Sequence, residues 1–465
     1  MVLFPTFLFL LLLAVVGPVF SFNVGTGTNQ IFRPTARLSA TTGADARSTS
    51  TSVGINLETE TFRETSFRIA WSFDARPFNP LPVLSNCHFQ TISGVFLRND
   101  PDSRYATSET NIFQKAIQLI SSVMGEADIN GEFWDERQRI ATPDGDFFHV
   151  DNKYHGDDGD PSSKGLVIVL HGLQSSSNSS LSVDLGKAYR KLGFDVACVN
   201  FRGCSGVPNN KLRAYHLGFT DDLKHYLSLV NNSAQKTPPI FISGFSLGAN
   251  VVLKTLGELG SSAFEDYNVY GAAVAGAPFD NERNVNFVQK DGFNKLAYNN
   301  NLLNSLKKTA LSQIERMPDS DEAKLLDKGR IAQTTLISAF ETAVIAPLFG
   351  FEDNVDYYRK TNCINFLDEI QVPTLIMNAA DDPFFDPDYF PTEFSCSSPE
   401  GERKRMPISM VRTEHGGHLG YMFHQRGNDE SDMEDTSFMP TQLALFIRHV
   451  FERRSSLEKA AAAMD

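Results

Sequence analysis

Residues Pro239–Leu259 read PIFISGFSLGANVVLKTLGEL. An apolar run leads to a serine set among glycines, and Val252, Leu256 and Leu259 then follow at helical spacing, the pattern of a strand that turns abruptly into a helix. Gly244-Phe245-Ser246-Leu247-Gly248 fits G-x-S-x-G, where the flanking glycines allow a tight turn and the hydroxyl projects from the sheet. The helix beginning there would offer backbone N–H groups and the positive end of its dipole to developing negative charge. Ser246 is thus a candidate nucleophile, and the rest of the chain should supply a base, an orienting carboxylate and an oxyanion site.

Further apolar runs lie on both sides: GLVIVLHG (Gly165–Gly172), DVACVNFRG (Asp195–Gly203), YGAAVAGAP (Tyr270–Pro278), VPTLIMNAADD (Val372–Asp382) and PISMVRTEHGGH (Pro407–His418). Helix-like sequence separates them, so they predict βαβ units in a mostly parallel sheet covered by helices on both faces. RIATPDGDFFHVDN (Arg139–Asn152) predicts two short strands about a Pro-Asp-Gly-Asp turn. Between Pro278 and Val372 the pattern is helical, which predicts a cap inserted over the strand ends. The expected organisation is a targeting segment over 1–53, an N-terminal extension over 54–138, an α/β core over 139–278 and 370–453, a helical cap over 279–369, and an Ala-rich tail over 454–465 read as a frayed helix.

A serine hydroxyl needs a base, and the base needs a carboxylate to hold its tautomer and stabilise its positive charge. In this architecture the order along the chain should be serine, acid, histidine. Asp381 and Asp382 close the fifth run, and His415 and His418 sit in EHGGHLGY after the sixth. Two buried carboxylates side by side are costly, so one should face the histidine and the other solvent or a backbone N–H. Asp382 is preferred with Asp381 as the alternative, and His418 is preferred because two glycines before it free the loop, leaving His415 a supporting place. The backbone N–H of Leu247 and that of Leu173, after Gly172, are the candidate oxyanion donors. H-x-x-H lacks a helical setting or a third ligand, so no metal is expected. His216–Asp221 (HLGFTD) matches an H-x4-D pattern, but Asp221 is expected only to cap a helix. Asn178-Ser179-Ser180 and Asn231-Asn232-Ser233 are N-glycosylation sequons; a sugar on Asn178 would obstruct the oxyanion turn, so that site is expected to be bare.

The whole composition agrees with such a chemistry. A formal net charge of -14 over 465 residues argues against nucleic acid as a partner. The 37 phenylalanines read first as core filling and then as lining for an apolar ligand. Five cysteines, widely spaced and without C-x-x-C, suit free thiols better than a disulfide framework or a zinc site. His155–Lys164 (HGDDGDPSSK) is a polar loop whose spacing does not fit a calcium site. Leu3–Val19 is apolar, Val19 and Ser21 are small residues placed for cleavage, and the following stretch is rich in Arg, Ser and Thr. That leader predicts delivery to the endomembrane system (ER) or a plastid, with cleavage and anchoring both open.

NCHFQT (Asn86–Thr91), HGLQSSSNSS (His171–Ser180), NFRGCSG (Asn200–Gly206), GFSLGANV (Gly244–Val251), NAADDPF (Asn378–Phe384) and HGGHLGY (His415–Tyr421) together resemble the α/β-hydrolase family, within it the YheT/EMB8-like branch with animal ABHD1, ABHD2 and ABHD3 type proteins and yeast medium-chain ethyl ester synthases. The resemblance implies a triad of Ser246, Asp382 and His418. It also implies activity on carboxylic esters of lipid type, as in short-chain esterases and monoacylglycerol lipases, with no metal or organic cofactor. An acyltransferase using the same triad and a catalytically silent binding protein of the same fold are the alternatives. Membrane-surface association stays open, and oligomeric state is not fixed.

Overall fold

A computed structural model describes residues 30–31, 62–98, 104–106, 133–156, 163–233, 238–391, 406–425 and 436–462. The targeting segment, apart from residues 30–31, the amphipathic stretch near Ile112–Met124, most of the polar loop after His155, and Cys396 lie outside the described residues.

The apolar runs become the strands of one sheet: β1 (Glu136–Ala141), β2 (Phe147–Lys153), β3 (Leu166–Leu170), β4 (Asp195–Asn200), β5 (Ile240–Phe245), β6 (Val269–Ala275), β7 (Thr374–Ala379) and β8 (Ile408–Thr413). Their spatial order is β1-β2-β4-β3-β5-β6-β7-β8, and the two-residue strand Gln30–Ile31 pairs antiparallel to β8 at the far edge. From β4 to β8 all neighbours are parallel, while β1 and β2 form the antiparallel hairpin read from the Pro-Asp-Gly-Asp turn. This is the α/β-hydrolase fold that the resemblance implies. β5 and β7 are buried along their whole length, which is why their sequences are mostly apolar, whereas edge strand β1 alternates between exposed and half-buried residues.

Helices cover both faces. On the first, α4 (Asp221–Ser233) and α5 (Leu247–Leu259) bury Leu223, Tyr226, Val252 and Leu256; on the second, α1 (Phe62–Trp71), α3 (Ser180–Lys191) and α10 (Phe438–Ala462) bury Ile69, Leu185, Phe446 and Ile447. Full burial of each such branched or aromatic side chain contributes about 1.5–3 kcal/mol. α2 (Cys87–Phe96) precedes β1 in sequence and is capped at its start by Asn86, whose side chain accepts the N–H of His88 and of Phe89. Between β6 and β7 the chain is helical, with α6 (Asn281–Gln289), α7 (Asn300–Arg316), α8 (Ile337–Ala343) and α9 (Asn354–Thr361) as the longer pieces; α7 and α8 share a core of Leu303, Ile314, Ile331 and Phe340.

Buried polar groups tie these layers together. Asn250 on α5 donates to the carbonyls of Leu217 and Thr361 and accepts the N–H of Cys363, using three of its bonding sites to fasten the chain's return to the sheet. Arg202, just after β4, holds Asp222 and Asp144. Asp221, expected as a cap, is instead the first residue of α4, and its neighbour Asp222 turns inward to the arginine. Residues 454–462 of the Ala-rich stretch, read as a frayed helix, continue α10, and the Arg454 guanidinium lies 4.5 Å from the Phe62 ring and donates to Ser66 Oγ. Cys87, Cys198, Cys204 and Cys363 are free, and burial pushes each thiol up. Among the described residues no helix is long and apolar enough to cross a membrane.

α5 begins directly on the end of β3, where a Cβ at Gly248 would lie 2.3 Å from the Leu170 carbonyl oxygen and 2.6 Å from that of His171. Neither backbone atom can give way, so Gly248→Ala is expected to cost about 1–3 kcal/mol of stability. Urea unfolding of parent and variant measures it, and an unchanged midpoint would refute this packing.

Candidate active site

β5 ends at Phe245 and α5 starts at Leu247, so the whole reversal falls on Ser246, at φ 55 and ψ -122. A side chain in such a sparsely populated region costs about 1–3 kcal/mol, and it persists only when its surroundings fix it. Here the Ser246 N–H donates to Ala275 O at 3.0 Å, and its own carbonyl accepts the N–H of Ala249 at 3.0 Å and of Asn250 at 3.3 Å. Leu247, in the first turn of α5, has no intrahelical acceptor for its N–H.

His418, expected as the base, stands 3.0 Å from Ser246, measured from Nε2 to Oγ, and 2.7 Å from Asp382, measured from Nδ1 to Oδ2. A carboxylate only accepts, so Nδ1–H donates to Asp382, and Nε2 is left to accept the serine proton. The Asp382 side chain is 1% exposed and its other oxygen takes the Phe384 N–H at 2.8 Å. Phe384 and Phe385 wall the imidazole, with centroids 4.4 and 5.5 Å away. Asp381 accepts the Gly417 N–H at 2.9 Å and faces His415 Nδ1 at 3.3 Å. The division expected from the cost of two adjacent carboxylates is therefore observed, with a backbone N–H given to each. Burial pushes the Asp381 carboxyl up, and the hydrogen bond that the His415 ring donates to Asp381 raises His415 above its ordinary value.

Gly172 lies against the nucleophile; a Cβ there would be 3.3 Å from Ser246 Cβ. His171 Nε2 accepts the Phe201 N–H at 3.1 Å, which leaves Nδ1–H to donate to the Gly172 carbonyl at 2.8 Å. In a planar trans peptide the N–H opposes the C=O, so fixing that carbonyl also fixes the direction of the Leu173 N–H. Burial pushes His171 down to about 4, so it is neutral at physiological pH and keeps this tautomer. His171 was not singled out from the sequence; a histidine directly after an apolar strand was the available signal.

Ser246 and His418 open onto a cavity of about 860 Å³. Leu247 and Leu173 also line it, and the segment between β6 and β7 contributes Leu302, Leu306, Ile337, Phe340, Val344 and Leu348. This wall is mainly aliphatic, whereas many phenylalanines, such as Phe148, Phe194, Phe241 and Phe446, are buried in the two sheet cores. Asn178 lies on the cavity wall. His216 also borders the cavity, but its Nδ1 accepts the Gly218 N–H at 3.1 Å, Phe349 packs 4.3 Å away, and burial pushes its pKa down to about 3.

Residues 161–344 match the family model described as serine aminopeptidase, S33. YheT of Escherichia coli (strain K12) is 30% identical over 345 residues, covering 74% of this chain and 87% of that protein. The chain belongs to the YheT-like branch of the α/β-hydrolase family. A further relative of this hydrolase is the medium-chain fatty acid ethyl ester synthase/esterase 2 of Saccharomyces cerevisiae, 27% identical over 55% of this chain and 58% of that one. Human monoacylglycerol lipase ABHD2 is 28% identical over 55% and 59%. Among solved structures, the Pyrococcus furiosus esterase Pf2001 aligns at a TM-score of 0.39 with 15% identity, covering 62% of this chain and 85% of that one.

The two aspartates are separable by experiment. Asp382→Asn should lower kcat by about 10⁴-fold, since it upsets the histidine tautomer; Asp381→Asn, whose amide oxygen still accepts the Gly417 N–H, should cost less than about tenfold. Steady-state kinetics distinguish them, and the reverse ranking would exchange their assignments. Because His415 titrates above its ordinary 6.5 in the folded chain, the stability it gains from Asp381 is complete below about pH 6.5 and is lost as pH rises through the raised value. His415→Ala should then cost more in denaturant unfolding at about pH 6 than at about pH 9.

Proposed function

We propose that this serine ester hydrolase cleaves lipid-type esters with a flexible hydrocarbon acyl chain, through an acyl-enzyme on Ser246. The observation that carries this reading is the aliphatic cavity of about 860 Å³ into which Ser246 and His418 both open. Its size is in the range that encloses a substrate of several hundred daltons. Ser246 Oγ attacks the ester carbonyl carbon while its proton passes to His418 Nε2, and Asp382 stabilises the imidazolium. The backbone N–H groups of Leu247 and Leu173 receive the charge that collects on the carbonyl oxygen. The imidazolium then gives its proton to the leaving alcohol, and water, activated in turn by His418, releases the acid.

The names of the human relative, a monoacylglycerol lipase, and of the yeast relative, an ethyl ester synthase/esterase, agree with acyl esters as the substrate class. The apolar leader over Leu3–Val19 supports delivery to the endomembrane system or a plastid.

Labelling with a fluorophosphonate decides whether Ser246 is the nucleophile: the parent should react and Ser246→Ala should not. Equal labelling of both, or none in a folded parent, would overturn the reading. If the cap-side wall holds the acyl chain, Leu306→Trp should shorten it, losing at least about tenfold in kcat/KM on long-chain esters while acetate esters are barely affected, as expected when methylenes worth about 1–3 kcal/mol each lose their place. A uniform loss at every chain length would place the acyl group elsewhere. Product analysis with added alcohol separates hydrolysis from acyl transfer.

A further inference from the structure

We infer that Thr91, on α2 of the N-terminal extension, is a positioning residue for His418. The inference rests on the reading of His418 as the base. The Thr91 hydroxyl donates to the Cys87 carbonyl at 2.7 Å, which commits its proton and turns the oxygen's lone pairs outward. That oxygen accepts the backbone N–H of His418 at 2.8 Å. The acceptor thus holds the peptide from which the imidazole extends.

The loop does not hold this shape by itself. Leu419, Tyr421 and Phe423 all have positive φ, at 63, 48 and 58, a conformation that side-chain-bearing residues rarely adopt. Strain of this kind persists only when neighbours over-determine it, and α2 supplies those neighbours. Gly417, at φ 56, is pressed so closely on α2 that a Cβ there would be 2.4 Å from the Cys87 carbonyl oxygen. Gln90 accepts the Met422 N–H at 2.8 Å and donates to the Met422 carbonyl at 3.1 Å. Arg98, fully buried just beyond α2, donates to the carbonyls of Leu419 and Gly420 and lies 3.6 Å from Asp184. These contacts fix the loop on both sides of the histidine, whereas Thr91 acts on the histidine's own peptide. An error of about 1 Å in the placement of a reacting group can cost about 10²-fold in rate, so this one acceptor has leverage on catalysis that its small share of the packing does not suggest.

Thr91→Val keeps the shape and removes the acceptor, and Thr91→Ser keeps the acceptor. Thr91→Val is expected to lower kcat by about 10- to 100-fold with KM little changed and a melting temperature close to the parent's, and Thr91→Ser should recover most of the loss. A crystal structure of Thr91→Val should show the imidazole withdrawn from Ser246. Parental kcat in Thr91→Val, a loss in Thr91→Ser as deep as in Thr91→Val, or an unmoved imidazole would overturn the proposal. If the parent is not labelled by fluorophosphonate, it is the catalytic reading that fails, and the position of the imidazole in the Thr91→Val structure still decides the positioning role.

Discussion

The strained backbone of Ser246 is the constraint on which the rest depends. A non-glycine residue at φ 55 is tolerated because β5 is locked by β3 and β6 on either side, and because α5 must start where Gly248 meets the end of β3. One turn therefore sets three things together: the hydroxyl clears the sheet, the N–H of Leu247 is left unpaired at a helix N-terminus, and the Gly172 turn lies alongside. None of the three can be shifted without moving a strand that is buried on both faces.

The neighbouring aspartates show how the site carries adjacent acids in a region of low dielectric. Charge there is expensive unless each carboxylate has its own donors. Asp382 has the His418 ring and the Phe384 N–H, and Asp381 has the His415 ring and the Gly417 N–H. Neither set of donors is shared, so each aspartate orients a separate piece of the histidine loop: one the imidazole, the other the peptide link leading to it. His415 thus meets the site through Asp381, which in turn accepts the Gly417 N–H.

The strands were legible because a parallel strand buried on both faces is mostly apolar, and the elbow was legible because few residues other than glycine fit around it. The order of serine, acid and histidine then left two aspartates and two histidines, and only a preference between them, because which ring each carboxylate meets is set by main-chain geometry that leaves no trace in residue type. The grip of α2 on the histidine loop was hidden for the same reason: Thr91, Gln90 and Arg98 bind carbonyls and N–H groups some 320 residues away in sequence, at 327, 332 and 321 positions' separation. NCHFQT carried that information as a motif, without stating what it touches. The phenylalanines follow the first of their two readings: Phe148, Phe194, Phe241 and Phe446 fill the sheet cores, while the wall contributed by the segment between β6 and β7 is mainly aliphatic.

His418 is where separately encoded parts of the chain converge. The core contributes Ser246 and Asp382, and α2 contributes Thr91. From the segment between β6 and β7, Tyr298 packs 4.6 Å from Phe384, which itself lies 4.4 Å from the imidazole. Tyr298 also meets His88 of α2, with its hydroxyl 2.8 Å from Nδ1, and burial pushes His88 down to about 4, so this contact is between neutral groups at physiological pH. A neutral hydrogen bond backed by stacked rings is directional but weakly screened by salt, which suits a contact that must hold its geometry beside two carboxylates without adding charge to them. The N-terminal extension is thereby bonded both to the loop that carries the base and to the helices that wall the cavity, and this double attachment makes it part of the apparatus around Ser246.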